Sequence, residues 1–478
     1  MRVLMLGWEF PPFIAGGLGV ACYGLTRALD RLGHEVVFVL PRPVDRVAGT
    51  HVKLLSPKAI TPRGLAAPHS THDPARAGQP HGTTLIPGLT HAVIHEVPAG
   101  FSHPYPGGSP LGVGAAPTNT LPIPADHDPD LQASEATDPT TVPPQPPAPG
   151  TAPTGMHLGT GGGAGEGYGG DLFGDADRYA RLVVALASRE RFDVIHAHDW
   201  LTYPAGLAVA KASGKPLIVH VHSTEFDRSG NNVNARVYEV ERAGMQGADR
   251  VVAVSQLTKS ICVRRYGVSP SRVDVVYNGI DRESQQPQEG SRIERDDKIV
   301  LFLGRITMQK GPEYFIAAAR RVLEKFDKVK FVVAGSGDMA LRMVELAAGM
   351  GIGSKVLFTG FLRGRDVDRV FAMADCYVMP SVSEPFGIAA LEAMHHDVPV
   401  IVSKTSGVAE VLSHVLKVDF WDVDEMANKI LAVLRHPPLS ATMREHGPME
   451  LKRLTWREAA ERCVRTYEAA VHGSPAHA

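Results

Sequence analysis

Residues 380–394 contain two glutamates that could bind the hydroxyl groups of a ligand. The stretch reads PSVSEPFGIAALEAM: a buried strand ends at Pro380, a turn carries Glu384, and Gly387 begins a helix that contains Glu392. Free N–H groups at a helix N-terminus bind phosphate or sugar hydroxyls, and carboxylates accept hydrogen bonds from vicinal hydroxyls. A helical turn would place both acids on roughly one side. The alternative is a glycine-initiated helix with two solvated acids.

A second stretch carries two cations directly after an apolar strand. Residues 303–311 read LGRITMQKG and include Arg305 and Lys310. Ligands of open α/β sheets bind at the carboxyl ends of strands. Fixed positive charge at such a place stabilises a departing diphosphate. The alternative is an exposed Arg/Lys pair on a loop.

Four histidines lie at or near the ends of two further apolar strands. The run FDVIHAHDW contains His196 and His198, and the run LIVHVH contains His220 and His222. The inner pair, His196 and His220, is most simply interpreted as hydrogen-bonded core residues. The outer pair is better placed to reach a ligand. Alternating histidines suit a metal, but no third and fourth ligand follows at a zinc-like spacing, so we expect none.

A glycine-rich turn, GGLG at residues 16–19, connects the first strand to the first helix. Glycine permits close approach of the backbone to a phosphate or sugar, which makes Gly17 a candidate ligand residue. A dinucleotide-binding fingerprint would have a third glycine where Cys22 stands and an acid after the second strand. Pro41 and Arg42 follow that strand instead. The pattern therefore argues against a nicotinamide-dependent enzyme.

The elements that position these motifs are short Val/Ile/Leu-rich strands that alternate with helices, a pattern typical of parallel sheets covered on both faces. We predict strands at residues 2–7, 35–40, 193–197, 217–222, 250–255 and 273–277, and again at 298–304, 329–335, 355–359, 375–380 and 398–402. A polar segment, 281–297, separates the two groups. We expect an N-terminal domain over 1–285, a C-terminal domain over 290–454, and a final helix within 455–478.

One region breaks the alternation of strands and helices. Residues 103–170 are dense first in proline and then in glycine, and residues 60–90 form a weaker polar stretch. Such sequence has too little apolar surface to offset the entropy of ordering it. We therefore expect a disordered insertion at 103–170 in the first domain.

The composition indicates a globular protein without a strong charge bias. Hydrophobic residues make up 44% of 478 residues and the net charge is -2, so no global basic field attracts nucleic acid or an anionic membrane. The four cysteines are far apart, which favours a reducing compartment over a disulfide framework. No apolar run approaches the roughly 18 residues of a membrane span. The short apolar start does not resemble a signal peptide, so we expect a cytoplasmic location.

Together, the four motifs resemble those of the retaining glycosyltransferases that include glycogen and starch synthases, sucrose and trehalose synthases and bacterial mannosyltransferases. The likeness covers nearly the whole chain except the insertion. It implies the α/β fold called GT-B: two facing Rossmann-like domains with parallel sheets and a cleft between them. In that fold the last helix often crosses back to the first domain. The resemblance also implies a nucleotide diphosphate sugar as donor, most of all ADP- or UDP-glucose, and a carbohydrate or other hydroxyl acceptor such as an α-glucan.

The resemblance implies roles for the residues already named. Arg305 and Lys310 would hold the donor diphosphate, and Glu384 would orient the transferred sugar. Glu392 would bind the ribose hydroxyls, and His198 would lie beside the reacting sugar. Four further residues are expected near the donor: Gly17, Phe386, Gly387 and Ile388. Two loops are expected in the same cleft: the GSGD loop at 335–338, and 360–364 near the base.

Enzymes of this family keep the anomeric configuration through front-face attack, with the leaving phosphate accepting the acceptor's proton. The resemblance therefore implies no protein nucleophile, no metal and no cofactor. One departure concerns glycogen and starch synthases, which usually carry a lysine where this chain has Ile14. Other readings stay open: a sugar epimerase or phosphorylase on the same fold, or a non-catalytic glycan-binding protein. The base, the sugar and the acceptor also stay open.

Overall fold

The computed structural model describes residues 1–10, 16–41, 53–56, 95–96, 172–280 and 296–473. Within these ranges the chain forms two parallel β-sheets flanked by helices. Several sequence-based predictions lie outside the described residues: the insertion at 103–170, the polar stretch at 60–90, Ile14, and most of the separating segment.

The first sheet has eight parallel strands in the order β4-β3-β2-β1-β5-β6-β7-β8. From β1 to β8 they are Arg2–Leu6, Glu35–Val39, Lys53–Ser56, His95–Glu96, Val194–His198, Leu217–Val221, Arg250–Ala253 and Val273–Val275. Its helices, α1 to α6, are Gly17–Arg31, Leu172–Ala187, Tyr203–Ser213, Glu225–Ser229, Ala235–Gly247 and Gln256–Tyr266. We call this sheet with α1–α6 the first lobe. All six predicted strands are confirmed, and β3 and β4 are additional.

The second sheet has six parallel strands in the order β11-β10-β9-β12-β13-β14. From β9 to β14 they are Lys298–Leu303, Val329–Ala334, Val356–Gly360, Cys376–Met379, Val400–Ser403 and Leu416–Val418. The helices α7 to α13 are Pro312–Leu323, Ala340–Gly349, Arg365–Met373, Ile388–His395, Val423–Arg435, Pro437–Glu450 and Trp456–Gly473. The second sheet with α7–α12 is the second lobe. None of the described helices combines the length and apolarity needed to cross a membrane.

The strands are apolar on both faces because helices cover both sides of each sheet. In β1, Leu4 and Leu6 belong to one buried cluster, whereas Val3 and Met5 belong to a different one. Alternate side chains of a strand point to opposite faces, so these clusters lie on the two sides of the sheet. Full burial of each such side chain stabilises the fold by about 1.5–3 kcal/mol. Continuous apolar strands are therefore what this layered fold requires.

The last helix, α13, packs against the first lobe although it follows the second lobe in sequence. Its residues Trp456, Ala460 and Tyr467 are buried in the cluster that contains Val3 of β1. Helix α1 comes so close that a Cβ added at Gly24 would lie 2.2 Å from the Trp456 ring. The chain thus passes from the first lobe to the second and returns.

We predict that Gly24→Ala lowers the free energy of unfolding by about 1–3 kcal/mol, the usual cost of overpacking. The added methyl has no room beside Trp456. Gly349→Ala is the matched control, because no atom of the described residues lies within 4 Å of its added Cβ at the end of α8. The control should be neutral or stabilising by up to about 1 kcal/mol, since alanine favours helix. Urea unfolding followed by circular dichroism measures both; equal stabilities would contradict the packing of α13 on α1.

Candidate active site

The predicted ligand residues lie at the carboxyl ends of central strands where the strand order reverses. In the first sheet β1 and β5 are neighbours, with β2 to β4 on one side and β6 to β8 on the other. In the second sheet β9 and β12 are neighbours in the same way. Open parallel sheets bind ligands at such points. Each motif occupies one of these strand ends: Gly17 after β1, His198 in β5, Arg305 after β9 and Glu384 after β12.

An ion pair joins two of the predicted motifs. Lys310 Nζ lies 2.5 Å from Glu384 Oε2, and the Ser381 hydroxyl donates to the same oxygen at 3.2 Å. The two charged side chains are only 19% and 9% exposed. The pair can form because β9 and β12 are hydrogen-bonded neighbours, which brings the turns after them together. We call this partly buried place after β9 and β12, where Lys310, Ser381 and Glu384 meet, the recess.

Glycines allow the turns around this recess to approach one another closely. A Cβ at Gly335 would lie 1.8 Å from the carbonyl oxygen of Gly304, and one at Gly311 would lie 2.2 Å from that of Pro380. Gly335 and Gly311 also have φ values of 145° and 63°, which glycine adopts without strain. The loop at 335–338 therefore packs directly on the turn that contains Arg305.

Helix α10 begins beside this recess. Its first residue differs from the prediction of a helical turn that already includes Glu384. Gly387 is the N-cap with φ 111° and no side-chain cap, and the helix begins at Ile388. The turn before it is therefore not helical, and the relation of the two acids by helical rotation does not apply. Glu384 and Glu392 still lie near one strand residue: burial, and then both negative charges, raise the pKa of Tyr377.

Glu392 lies half-buried in α10, within electrostatic reach of a second acid. Burial first, and then the negative charge of Asp368, raise the pKa of Glu392 to about 7. The protonated form of Glu392 is therefore favoured relative to that of an exposed glutamate. The ability of this side chain to accept hydrogen bonds on both oxygens depends on pH.

Four histidines stack at the ends of β5 and β6. His196 contacts the hydroxyl of Tyr467 in α13 at 2.7 Å and His220 Nδ1 at 3.2 Å. His198 Nδ1 lies 2.9 Å from His222 Nε2, and the rings of His196 and His198 are 4.3 Å apart. Burial lowers the pKa of all four, to about 3 for His196 and His222. The rings are therefore neutral near pH 7.

Two ring nitrogens in this cluster are buried without a hydrogen-bond partner among the described residues: Nε2 of His198 and Nε2 of His220. The prediction of a fully hydrogen-bonded core histidine therefore fits His196 but not His220. His196, His198 and His220 each place one ring nitrogen within 4.8 Å of the others, a spacing that could hold a metal ion. The spacing of these histidines along the chain does not predict this grouping, because the three nitrogens meet only where β5 and β6 pair. The absence of a metal stays a prediction.

The remaining predicted residues lie around the start of two helices. No atom of the described residues lies within 4 Å of a Cβ added at Gly17, and α1 has no side-chain cap at its N-terminus. Ile388 packs against apolar clusters of both lobes. Phe386 is buried, and its ring centroid lies 6.0 Å from that of Tyr277. The α10 start therefore belongs to the contact between the lobes.

Sequence reasoning missed the polar residues that join the lobes at this site. The Ser383 hydroxyl donates to Asp227 of α4 at 2.6 Å. Glu410 accepts hydrogen bonds from the backbone of Gln256 and Leu257 at the start of α6. Asp227 belongs to a capping box, which has a recognisable local sequence pattern. No sequence pattern indicates that Ser383 of the second lobe is its partner.

Comparison with known families agrees with this layout. Three family models match successive parts of the chain: the starch synthase catalytic domain over residues 2–71, glycosyltransferase family 4 over 144–284, and glycosyl transferases group 1 over 283–449. An uncharacterized glycosyltransferase of Methanocaldococcus jannaschii is 35% identical over 238 residues, which is 47% of this chain and 61% of that relative. The match thus spans less than two thirds of that relative. Glycogen synthase of Mycobacterium tuberculosis is 25% identical over 486 residues, covering 99% of this chain and 96% of its own.

Solved structures share the fold. Sucrose-phosphate synthase from Thermosynechococcus elongatus superposes with a TM-score of 0.66 at 19% identity, covering 99% of this chain and 100% of its own. The Anabaena protein HepE, solved in complex with UDP-glucose, has a TM-score of 0.54 at 21% identity and covers 61% of this chain and 82% of its own. Both are GT-B neighbours of the two-sheet architecture described above.

We predict that a nucleoside diphosphate binds more weakly as the pH falls below the raised pKa of Glu392, about 7. Protonation removes the carboxylate that would accept ribose hydroxyls, so Kd should rise by up to about tenfold per pH unit below that value. Calorimetric titration with ADP and UDP across this range measures the effect. Glu392→Gln is the control, since it cannot titrate but leaves phosphate protonation unchanged. The same pH profile in both proteins would exclude Glu392 as the titrating group.

Proposed function

We propose that this chain, a glycosyltransferase of the GT-B type, transfers glucose, with retention of configuration, from ADP- or UDP-glucose to a hydroxyl acceptor. The observation that carries this proposal is the recess in which Lys310 and Glu384 lie 2.5 Å apart, beside the turn of Arg305. Fixed positive charge suits a diphosphate, and a carboxylate suits sugar hydroxyls. A sugar nucleotide has both a diphosphate and sugar hydroxyls. The cation and the carboxylate that suit them lie together where the strand order of the second sheet reverses.

In the proposed reaction, the donor diphosphate binds Arg305 and Lys310. The bond from the sugar's anomeric carbon to the diphosphate oxygen breaks, and its electron pair remains on the diphosphate. The two cations stabilise the charge that develops there. Glu384 accepts hydrogen bonds from the sugar hydroxyls, and the N–H groups that begin α10 donate hydrogen bonds to the sugar's oxygen atoms. Because the charge separates mainly in the transition state, these groups act on turnover more than on binding.

The acceptor hydroxyl attacks the same face of the sugar that the diphosphate leaves. A new bond forms between the acceptor oxygen and the anomeric carbon, and the hydroxyl proton passes to the departing phosphate. His198 is a poor base because burial holds its pKa well below the usual value. We assign its unpartnered Nε2 a hydrogen bond to the transferred sugar instead. The proposal needs no protein nucleophile, metal or cofactor.

Two comparisons support glucose as the transferred sugar. The mycobacterial relative that aligns along 99% of the chain is named glycogen synthase. The Anabaena neighbour was solved with UDP-glucose. An α-glucan acceptor is proposed from the same resemblance, and a cytoplasmic location is proposed from the scattered cysteines and the short apolar start of the sequence. Family membership favours transfer over the epimerase, phosphorylase and glycan-binding alternatives.

We predict that Arg305→Ala and Lys310→Ala each lower kcat by about 10²–10³, the scale of losing one charge-stabilising group. Steady-state kinetics with the preferred donor measures the loss. Lys404→Ala is the control: this lysine also pairs with an acid of the second lobe, Asp419 at 2.7 Å, but its side chain is 56% exposed. Its turnover should equal that of the wild type. Full activity of Lys310→Ala would show that the diphosphate binds elsewhere.

We predict that ADP-glucose or UDP-glucose, and not GDP-mannose, supports nucleotide release. The same donors should raise the melting temperature, because a ligand that binds only the folded state stabilises it. A panel of ADP-, UDP- and GDP-sugars tests both readouts, with and without EDTA. Stabilisation by GDP-mannose alone would contradict the glucosyl assignment. Loss of activity in EDTA would indicate that His196, His198 and His220 hold a metal.

A further inference from the structure

The turn that carries Glu384 is attached to the first lobe immediately before the glutamate. The Ser383 hydroxyl donates to Asp227 Oδ1 at 2.6 Å. The other carboxylate oxygen of Asp227 accepts from the backbone and the hydroxyl of Thr224, both at 2.7 Å, in the capping box of α4. Asp227 is 2% exposed. The carboxylate is therefore fixed within the first lobe, and one of its oxygens reaches across to the second lobe.

A second attachment comes from Glu410, at the end of the 3-10 helix Gly407–Glu410. One carboxylate oxygen accepts from the Leu257 N–H at 2.7 Å, and the other accepts from the Gln256 N–H at 2.9 Å. The Tyr277 hydroxyl also donates to Glu410, at 3.1 Å. These N–H groups begin α6 of the first lobe, where a negative charge is favourable. Glu410 thus binds the second lobe to a helix start of the first.

The segment before Glu410 is hydrogen-bonded to the backbone of Glu384. The Glu384 N–H donates to the Thr405 carbonyl at 3.0 Å, and the Gly407 N–H donates to the Glu384 carbonyl at 2.9 Å. The Thr258 hydroxyl of α6 reaches the Pro385 carbonyl at 3.4 Å. Movement of the 3-10 helix away from α6 would therefore act directly on the glutamate's backbone.

We propose that Asp227 and Glu410 are positioning residues that hold the Glu384 turn in its productive geometry only while the two lobes are in contact. This inference rests on the proposed function, since it assigns Glu384 to the transferred sugar. The Lys310–Glu384 pair lies within the second lobe and does not need the first. Nucleotide binding therefore survives loss of the two attachments, whereas alignment of the sugar with the acceptor lobe does not.

The kinetic test uses Ser383→Ala and Glu410→Gln in the full chain. Each should lower kcat by about tenfold, because small misplacement of a reacting group is costly. The Kd for UDP or ADP should stay within about twofold, since the proposed contacts with Arg305, Lys310 and Glu392 lie in the second lobe and neither variant alters Gly17. Ser383→Thr keeps a hydroxyl and should restore most of kcat. Ser413→Ala, an exposed serine of the second lobe, is the control with unchanged kinetics.

Hydrogen exchange supplies a readout that does not depend on activity. In Glu410→Gln the amides of Gln256 and Leu257 should exchange at least about tenfold faster than in the wild type. Unchanged amide exchange in Glu410→Gln would overturn the positioning role of Glu410. So would an unchanged kcat of the variants when the wild type is active. A kcat loss matched by an equal loss of nucleotide affinity would overturn it as well. A wild type inactive with every donor would instead overturn the proposed function, whatever the exchange shows.

Discussion

The carboxyl ends of parallel strands lie along a common edge of the sheet. The position at which the strand order reverses along that edge determines which residues of this site meet. Lys310 can reach Glu384, 74 residues away in sequence, because β9 lies between β10 and β12. At such a reversal the connecting loops leave in opposite directions and open a crevice. Each sheet has one reversal of this kind, and each supplies part of the site. The chemistry assigned to the chain follows from this topology.

The two sides of the site differ in charge, and burial explains the difference. On the second lobe, the partly buried side chains of Lys310 and Glu384 form an ion pair. On the first lobe, no counter-charge among the described residues offsets the desolvation of His198 and His220, so burial lowers the pKa of these histidines and they are neutral. In the proposed reaction, a charged diphosphate would meet the charged side of the site and a neutral acceptor hydroxyl the neutral side.

The sequence predicts the long-range layout well and the contacts between lobes poorly. Buried strands such as Lys298–Leu303 are apolar runs with a clear pattern, whereas Leu416–Val418 has three residues, too few for any period. The turns of Arg305 and Glu384 are recognisable in the sequence because their charged residues directly follow apolar strands. Ser383 and Asp227 are 156 residues apart, and neither carries a signal for the other. The spacing of Glu384 and Glu392 suggests one continuous helical turn, but the helix begins only after Gly387, whose φ is 111°.

Neither lobe completes its part of the site alone. The Tyr467 hydroxyl, which reaches His196, is on a helix that follows the second lobe, so the histidine stack of the first lobe is closed by the end of the chain. In return, α4 and α6 of the first lobe hold the turn of Glu384. Because each lobe is held by residues that lie outside it, the geometry of the site depends on how the two lobes are placed relative to each other. In the proposed reaction a sugar passes from ligands on one lobe to an acceptor at the other, so we expect turnover to depend also on residues that touch neither substrate.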